Sequence, residues 1–141
     1  MSAYISLPMY SASIDERMRL IAGKCTSCGT LNYPPRQVCT HCGGTGFAPQ
    51  PLSGSGRVYT FTVIARGGAP AEFDQQQTLT GEIVVGVVEL DEGPRVVGQI
   101  VDASAGGLQI GTRVHGVVRR LYDQEGIIRY GVKFQPEADH G

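Results

Sequence analysis

Two Cys-x-x-Cys pairs near the N-terminus constrain this chain more than any other feature, because all of its cysteines lie within them. Tetrahedral zinc favours soft or borderline ligands, and two such turns each present a pair of sulfurs from one compact segment. A glycine follows each pair, at Gly29 and Gly43, where a tight turn can adopt a positive φ. The pattern predicts a small zinc ribbon with rubredoxin-like knuckles over residues 24–47. Its predicted metal ligands are Cys25, Cys28, Cys39 and Cys42.

The metal of this ribbon is predicted to be structural, because four thiolates complete a tetrahedral shell and leave no position for a substrate. Iron bound as in rubredoxin uses the same ligands, so the sequence leaves iron open beside zinc. His41 lies inside the second pair and is a less favoured alternative ligand. Metal binding is expected to supply the folding energy of the ribbon, which reaches about 10–16 kcal/mol in small zinc modules.

The overall charge and the N-terminus limit the possible partners. The net charge is −1, which disfavours the clustered basic surface that a phosphate backbone requires. No apolar run approaches the length of a membrane helix, and the first residues lack the basic and apolar segments of a signal peptide. Paired cysteine motifs without a secretory signal indicate metal binding in a reducing compartment. The predicted location is therefore the cytoplasm, with no membrane partner.

A short helix is predicted over residues 11–23, after an extended arm over residues 1–10. Ser13 and Glu16 have the spacing of a capping box, in which each side chain satisfies a free backbone N–H of the first turn. One face of this helix is apolar and carries Ile14, Met18 and Ile21. A helix of about three turns is marginal in water. This face is therefore expected to pack on its own domain or on a partner subunit.

The rest of the chain is predicted to be mainly β. Residues 48–56 are rich in proline, glycine and serine and read as a linker, and residues 136–141 read as a polar tail. Between them, over residues 57–135, alternating apolar patterns separated by turns predict an OB-fold barrel. An SH3-like barrel or an open sandwich has a similar pattern. The five predicted strands are 57–64, 81–90, 95–101, 112–121 and 127–134.

The chemistry of the predicted barrel is not that of an independent enzyme. No nucleophile motif, phosphate-binding loop or unused cysteine is present in the sequence. A nucleic-acid-binding barrel is an alternative class, which would stack bases on exposed aromatic rings. Two observations disfavour it: residues 57–141 carry a net charge of −3, and the sheet aromatics alternate as core residues would. Those aromatics are Tyr59, Phe61, Tyr130 and Phe134.

The assembled pattern resembles the zinc-ribbon/OB-fold proteins that accompany thiolase-like enzymes. The resemblance covers roughly residues 11–135. Besides the cysteines, it is carried by Pro34-Pro35-Arg36, by the segment 53–60, by Val88-Glu-Leu-Asp-Glu-Gly-Pro94-Arg95 and by the segment 108–114. Members of this family are small non-catalytic subunits, such as those of benzoylsuccinyl-CoA thiolase and of acylphloroglucinol acyltransferases, or acyl-CoA carriers.

The resemblance implies an accessory subunit that docks on a thiolase-like catalytic chain, in a hetero-oligomer with two copies of each. The catalytic chain would supply the reactive cysteine and histidines, and the accessory chain would border the entrance for a coenzyme A ester. A stand-alone acyl-CoA carrier is the second alternative. Residues predicted to contact coenzyme A or the partner are Arg19, Lys24, Arg36, Arg66 and Phe73.

Overall fold

The computed structural model describes residues 18–65, 67–103, 106–124 and 127–137. Within these residues the chain forms two antiparallel sheets and one short α-helix. The elements are β1 (Ile21–Cys25), β2 (Leu31–Asn32), β3 (Phe47–Pro51), β4 (Ser55–Ile64), α1 (Asp74–Thr80), β5 (Ile83–Leu90), β6 (Arg95–Gln99), β7 (Arg113–Gln124) and β8 (Ile127–Pro136). A single 3-10 turn, Ala71–Phe73, precedes α1.

The first sheet has the order β2-β1-β3 and carries the cysteine ribbon. It corrects the predicted helix over 11–23, of which residues 11–17 lie outside the described residues. Met18 is helical, but from Ile21 onward the prediction is wrong, because Ile21–Cys25 is a strand. Gly23 pairs with Asn32 on one side and with Pro49 on the other. These partners are distant in sequence, so the local helical pattern did not reveal them.

The second sheet has the order β6-β5-β4-β7-β8 and curls into a nearly closed barrel. All five predicted strands of this barrel are present. Its ends meet where Ile100 forms a parallel bridge with Phe134, and the N–H of Val101 donates to the carbonyl of Phe134 at 2.8 Å. The pairing shifts register at Val58/Thr60 in β4 and at Arg120/Tyr122 in β7. Such bulges bend a strand and increase its twist, which helps a small sheet to close.

The barrel core is aliphatic with one central ring, Phe134, which is almost completely buried. Gly98 lies against this ring: a Cβ built at Gly98 would be 3.0 Å from Phe134 Cε2. Leu20, just before β1, belongs to the same cluster of buried residues. The ribbon and the barrel therefore share part of one core. The buried apolar residues of this cluster are Leu20, Val58, Val84, Val88, Leu90, Val96, Ile100, Leu108, Val114 and Phe134.

The predicted environment of several strand residues needs correction. Tyr59 and Tyr130 are exposed rather than in the core, and the guanidinium of Arg95 lies 4.0 Å from the centre of the Tyr59 ring. The bulge after Val58 breaks the alternation on which the core assignment of Tyr59 rested. Conversely, Arg129 and Lys133 are buried rather than part of a solvated surface. In β8, therefore, both faces are covered over part of the strand.

The predicted linker over 48–56 is largely ordered. Its first residues belong to β3, and β4 begins at Ser55. Between these strands, the N–H of Leu52 donates to the carbonyl of Leu20 at 2.8 Å, and the carbonyl of Gly54 accepts from Gly116 at 2.9 Å. Ser53 donates from its backbone and its hydroxyl to Glu92, at 2.6 and 3.0 Å. The connection is therefore held by hydrogen bonds to both halves of the chain.

The segment 65–80, predicted as a long connection, contains α1. Its helix is attached to the preceding residues by Gln77, which is buried and donates from Nε2 to the carbonyl of Ala65 at 3.0 Å. Gln77 Oε1 also accepts from the N–H of Gly67 at 3.3 Å. Over the described ranges, no helix has the length and apolar character needed to cross a membrane.

Candidate metal centre

Two tight turns bring the cysteines together. In the first, the N–H of Gly29 donates to the carbonyl of Cys25 at 2.9 Å; in the second, Gly43 donates to Cys39 at 3.0 Å. Gly29 and Gly43 have φ values of 78° and 75°, which confirms the expectation of positive φ at both positions. A side chain with a Cβ is strained in this region, so the glycines allow each turn to close after its second cysteine.

The four sulfurs form a compact cluster that fits one metal ion. All four Sγ atoms lie within 4.8 Å of one another. The Sγ atoms of Cys25 and Cys42 are 3.5 Å apart, and those of Cys28 and Cys39 are 3.7 Å apart. A tetrahedron with Zn–S bonds of about 2.3 Å has sulfurs separated by about 3.8 Å. The arrangement therefore fits tetrahedral zinc, or iron held by the same four thiolates.

Backbone amides surround the sulfurs as expected for thiolates. His41 donates from its N–H to Cys39 Sγ at 3.4 Å, and Gly44 donates to Cys42 Sγ at 3.4 Å. His41 thus contributes through its backbone. The group of neighbouring metal-ligating side chains found among the described residues consists of the four cysteines and contains no histidine. A closed shell of this kind orders the chain and leaves no position for substrate.

Asn32 is a supporting residue that the sequence prediction missed. Its side chain is 2 % exposed, and its Nδ2 donates to Cys39 Sγ at 3.5 Å and to the carbonyl of Thr30 at 3.3 Å. Its Oδ1 accepts from both the N–H and the hydroxyl of Thr40, each at 3.0 Å. Asn32 therefore connects β2 to the second knuckle and orients one ligand. The sequence feature that could have indicated this role is an amide side chain between the apolar residues Leu31 and Tyr33.

The electrostatics of the cluster favour a bound cation. Hydrogen bonds from the backbone N–H of Cys42, from Asn32 and from the N–H of His41 lower the pKa of Cys39 to about 6. The N–H of Gly44 also lowers the pKa of Cys42, but the sulfurs of the other three cysteines and burial together raise it to about 12. Four neighbouring thiolates repel one another, so full ionisation needs a positive ion among them.

The residues predicted to contact coenzyme A or a partner lie on separate parts of the chain. Arg19 precedes β1 and is exposed, and Lys24 and Arg36 are exposed in the ribbon. Phe73 is half-buried and makes an edge contact with Tyr122, with ring centres 5.5 Å apart. Arg66 lies outside the described residues. No hydrogen bond or ring contact within the described part of the chain joins any two of them, so their shared role stays a prediction.

Comparison with known protein families matches both halves of the chain. Residues 16–48 match the family described as "ChsH2, rubredoxin-like zinc ribbon domain". Residues 49–119 match the family described as "ChsH2, C-terminal OB-fold domain". The second match confirms the OB type of the barrel, and the first names zinc as the metal of the family. The two matches meet between residues 48 and 49, inside β3.

Individual relatives extend over most of the chain. A "DUF35 domain-containing scaffold protein" of Methanocaldococcus jannaschii is 40% identical over 126 residues, covering 87% of this chain and 85% of that protein. The "Benzoylsuccinyl-CoA thiolase subunit BbsA" of Thauera aromatica is 26% identical over 131 residues, covering 90% of this chain and 83% of that protein.

A solved structure supports the same relationship. A chain of the "Ltp2-ChsH2(DUF35) aldolase" superposes with a TM-score of 0.69 and 26% identity, covering 95% of this chain and 98% of that one. The similarity thus includes both the ribbon and the barrel in one arrangement. The chain belongs to the family of ChsH2-type, DUF35 domain-containing proteins, which join a rubredoxin-like zinc ribbon to an OB-fold domain.

Proposed function

We propose that the chain is a non-catalytic accessory subunit of a thiolase-like CoA acyltransferase complex. The observation that carries the proposal is the likeness, over nearly its whole length, to the DUF35 chain of the Ltp2–ChsH2 aldolase, beside relatives named as thiolase subunits. All four cysteines converge on one closed cluster, so none is left as a nucleophile. The catalytic subunit supplies the reactive groups, in a cytoplasmic assembly with two copies of each chain and zinc as the resident metal.

The docking site begins at a shallow groove of about 210 Å³ where the ribbon meets the barrel. Arg19, one of the predicted partner contacts, lines this groove beside Met18. Its opposite wall is formed by Val118 and Val132 of the β7–β8 hairpin. Met18 belongs to the apolar face that was predicted to pack on its own domain or on a partner subunit, and it borders this groove.

The groove continues into an apolar strip on the β7–β8 hairpin. Val118 of β7 pairs with Val132 of β8. Tyr130 lies two residues before Val132 in β8, so its side chain is on the same face of the sheet. Val118 and Tyr130 remain 50% and 40% exposed. Contiguous exposed apolar surface with a polar rim is typical of protein interaction sites. We assign this strip, defined by Val118, Tyr130 and Val132, to the thiolase-like subunit.

We propose that the coenzyme A ester binds near the same interface. The exposed cations Arg19, Lys24 and Arg36 provide positive charge on the ribbon side, where phosphate groups of coenzyme A would be stabilised. Phe73 and Arg66 belong to the segment that leads into α1 and are proposed to contact the partner. The ribbon therefore forms a positively charged border of the entrance for the coenzyme A ester, while the acyl-transfer reaction takes place on the catalytic subunit.

The test is co-expression of the chain with the thiolase-like protein of its host, followed by purification through a tag on one chain and measurement of the mass of the complex. We expect a hetero-oligomer that Val118→Glu disrupts, because the strip would then bury an unpaired charge. Val97→Glu is the matched control: Val97 is 70% exposed on β6, outside the strip. Recovery of a monomer that ignores the thiolase-like chain would refute the proposal, as would equal effects of the two substitutions.

Metal removal provides a second test. The groove residues Met18 and Arg19 lead directly into β1, whose last residue is the ligand Cys25. Unfolding of the ribbon by a chelator should therefore destroy one wall of the docking site and release the partner. Activity of the complex should fall in parallel with dissociation. Loss of activity from an intact complex would instead indicate a catalytic metal and would contradict the structural role.

A further inference from the structure

A second, larger pocket lies away from the proposed docking strip. It has a volume of about 600 Å³ and is bordered by α1, the start of β5, residues 100–103, β7 and β8. It shares no lining residue with the groove beside Arg19. Part of its wall is aliphatic and is formed by Ile83, Val84 and Ile100. Pockets of about 300–1,000 Å³ commonly hold small molecules.

The polar group that distinguishes this pocket is Lys133. Its residue is only 4% exposed, and its side chain lines the pocket. No hydrogen bond or ion pair joins Lys133 to another residue within the described ranges. Burial lowers the pKa of Lys133, and the positive charge of Arg119 lowers it further. An ammonium group in such a place is unfavourable unless an opposite charge is brought to it.

The acids around the pocket do not supply that charge. Asp102 is bound by Arg119 at 3.2 Å and also accepts from Gln135 Nε2 at 2.7 Å, so it is already engaged. Glu72 and Glu82 line the pocket but are exposed. They oppose the entry of a highly charged anion more strongly than that of a monoanion. The pocket therefore combines the largely buried Lys133, an aliphatic wall and a rim that carries Glu72, Glu82 and Arg120.

We propose that this pocket binds an aliphatic monocarboxylate, whose carboxylate accepts hydrogen bonds from the Lys133 ammonium and whose chain packs on Ile83, Val84 and Ile100. A carboxylate matches the positive charge of Lys133, and a charge-assisted hydrogen bond compensates for the burial of this residue. The aliphatic wall favours a hydrocarbon chain over a polar body. This site is separate from the zinc centre and from the docking strip, and it does not depend on the proposed partner.

The two lysines of the chain, Lys24 and Lys133, permit a direct test. In the zinc-loaded full-length chain with isotope-labelled lysine, NMR resolves the ε-methylene signals of these two residues. Sodium octanoate should shift the Lys133 signal saturably and leave the exposed Lys24 unchanged. Octanol, which lacks the charge, should bind at least about tenfold more weakly because it loses the charge-assisted hydrogen bond. Inorganic phosphate, which lacks the chain, should also bind more weakly because it cannot pack on the aliphatic wall. Equal shifts of both lysines, or no saturable shift, would overturn the proposal.

Calorimetry on variants gives an independent measurement. Lys133→Met retains the length of the side chain and removes the charge, so octanoate affinity should fall at least about tenfold. Lys24→Met is the matched control and should bind octanoate as the unaltered chain does. Unchanged affinity in Lys133→Met, or octanol binding as tightly as octanoate, would show that the cation is not the recognition element. The NMR titration of the unaltered chain decides the question even if Lys133→Met does not fold.

Discussion

Replacement of Asn32 by aspartate isolates the contribution of one amide group to metal binding. Asn32→Asp retains an oxygen that can accept from Thr40, where Asn32 Oδ1 now accepts two hydrogen bonds at 3.0 Å. It removes the Nδ2 donor that lies 3.5 Å from Cys39 Sγ. The substitution therefore changes the interaction with the thiolate more than it changes the connection between β2 and the second knuckle.

The expected effect follows from the charge of the acceptor. A hydrogen bond to a charged group contributes about 1.5–3 kcal/mol, and each 1.4 kcal/mol corresponds to about tenfold in affinity. Loss of the Nδ2–H···Sγ bond alone should thus weaken metal binding by about 10–100-fold, which is the range found for groups that orient metal ligands. The new carboxylate also lies beside the Cys39 thiolate, so repulsion should place the result toward the upper end.

The assay is competition for Zn²⁺ between the protein and a chromophoric chelator at neutral pH. The Co²⁺ spectrum then reports whether four thiolates still bind the ion. Gln50→Glu is the matched control, because Gln50 lies on β3 of the same sheet and its amide donates to the carbonyl of Pro51 at 3.2 Å rather than to a sulfur. An Asn32→Asp protein that binds zinc within about twofold of the unaltered chain would refute the reasoning, and so would an equal loss in Gln50→Glu.

Two further predictions concern the barrel. In Gly86→Ala, the new Cβ would lie 2.5 Å from Ile100 Cδ1 and 3.2 Å from the carbonyl oxygen of Thr60. Because overpacking forces neighbouring atoms to move, this variant should lower the free energy of unfolding in urea by about 1–3 kcal/mol. Gly106→Ala, whose Cβ would meet no atom within 4 Å, is the control, and equal stability of the two variants would contradict the packing argument. The hydrogen bond from Arg113 lowers the pKa of Asp91 below its ordinary value of 3.8, so this carboxylate stabilises the folded state above that pH and loses its contribution as the pH falls through the lowered pKa. The difference in melting temperature between the unaltered chain and Asp91→Asn should therefore be present at neutral pH and vanish in acid; a difference that persists unchanged in strong acid would contradict this assignment.

The metal site was predictable because its determinants are local. Each Cys-x-x-Cys turn closes within a few residues, and the positive φ of Gly29 and Gly43 follows from the same turns. Asn32 was not predictable in the same way, because its bonds to Cys39 and Thr40 depend on how β2 approaches the second knuckle. The sequence therefore identified the four cysteines that lie together, but it missed the residue that contacts one of them.

The barrel shows the same difference between local and long-range information. Alternation and turn residues located its five strands, whereas the environment of individual side chains depended on bulges and on packing between distant elements. The bulge after Val58 placed Tyr59 outside the core. Lys133 is buried although it alternates with core residues, and it lines the pocket that α1 and β7 border. The prediction of a helix that extends to Gly23 was wrong for a related reason. Residues 21–25 pair with the distant strand Phe47–Pro51 and therefore form a strand.

β3 makes the two halves of the chain inseparable as fragments. Residues 48 and 49, where the two family matches meet, are neighbours within this strand, and both pair with β1. A fragment beginning at residue 49 would lose β1, with which Pro49, Gln50 and Pro51 pair, so the rest of β3 would have no partner strand. It would also lose Leu20, which closes the core of the barrel from the ribbon side. The boundary along which relatives are compared is therefore not a boundary along which this protein can be cut.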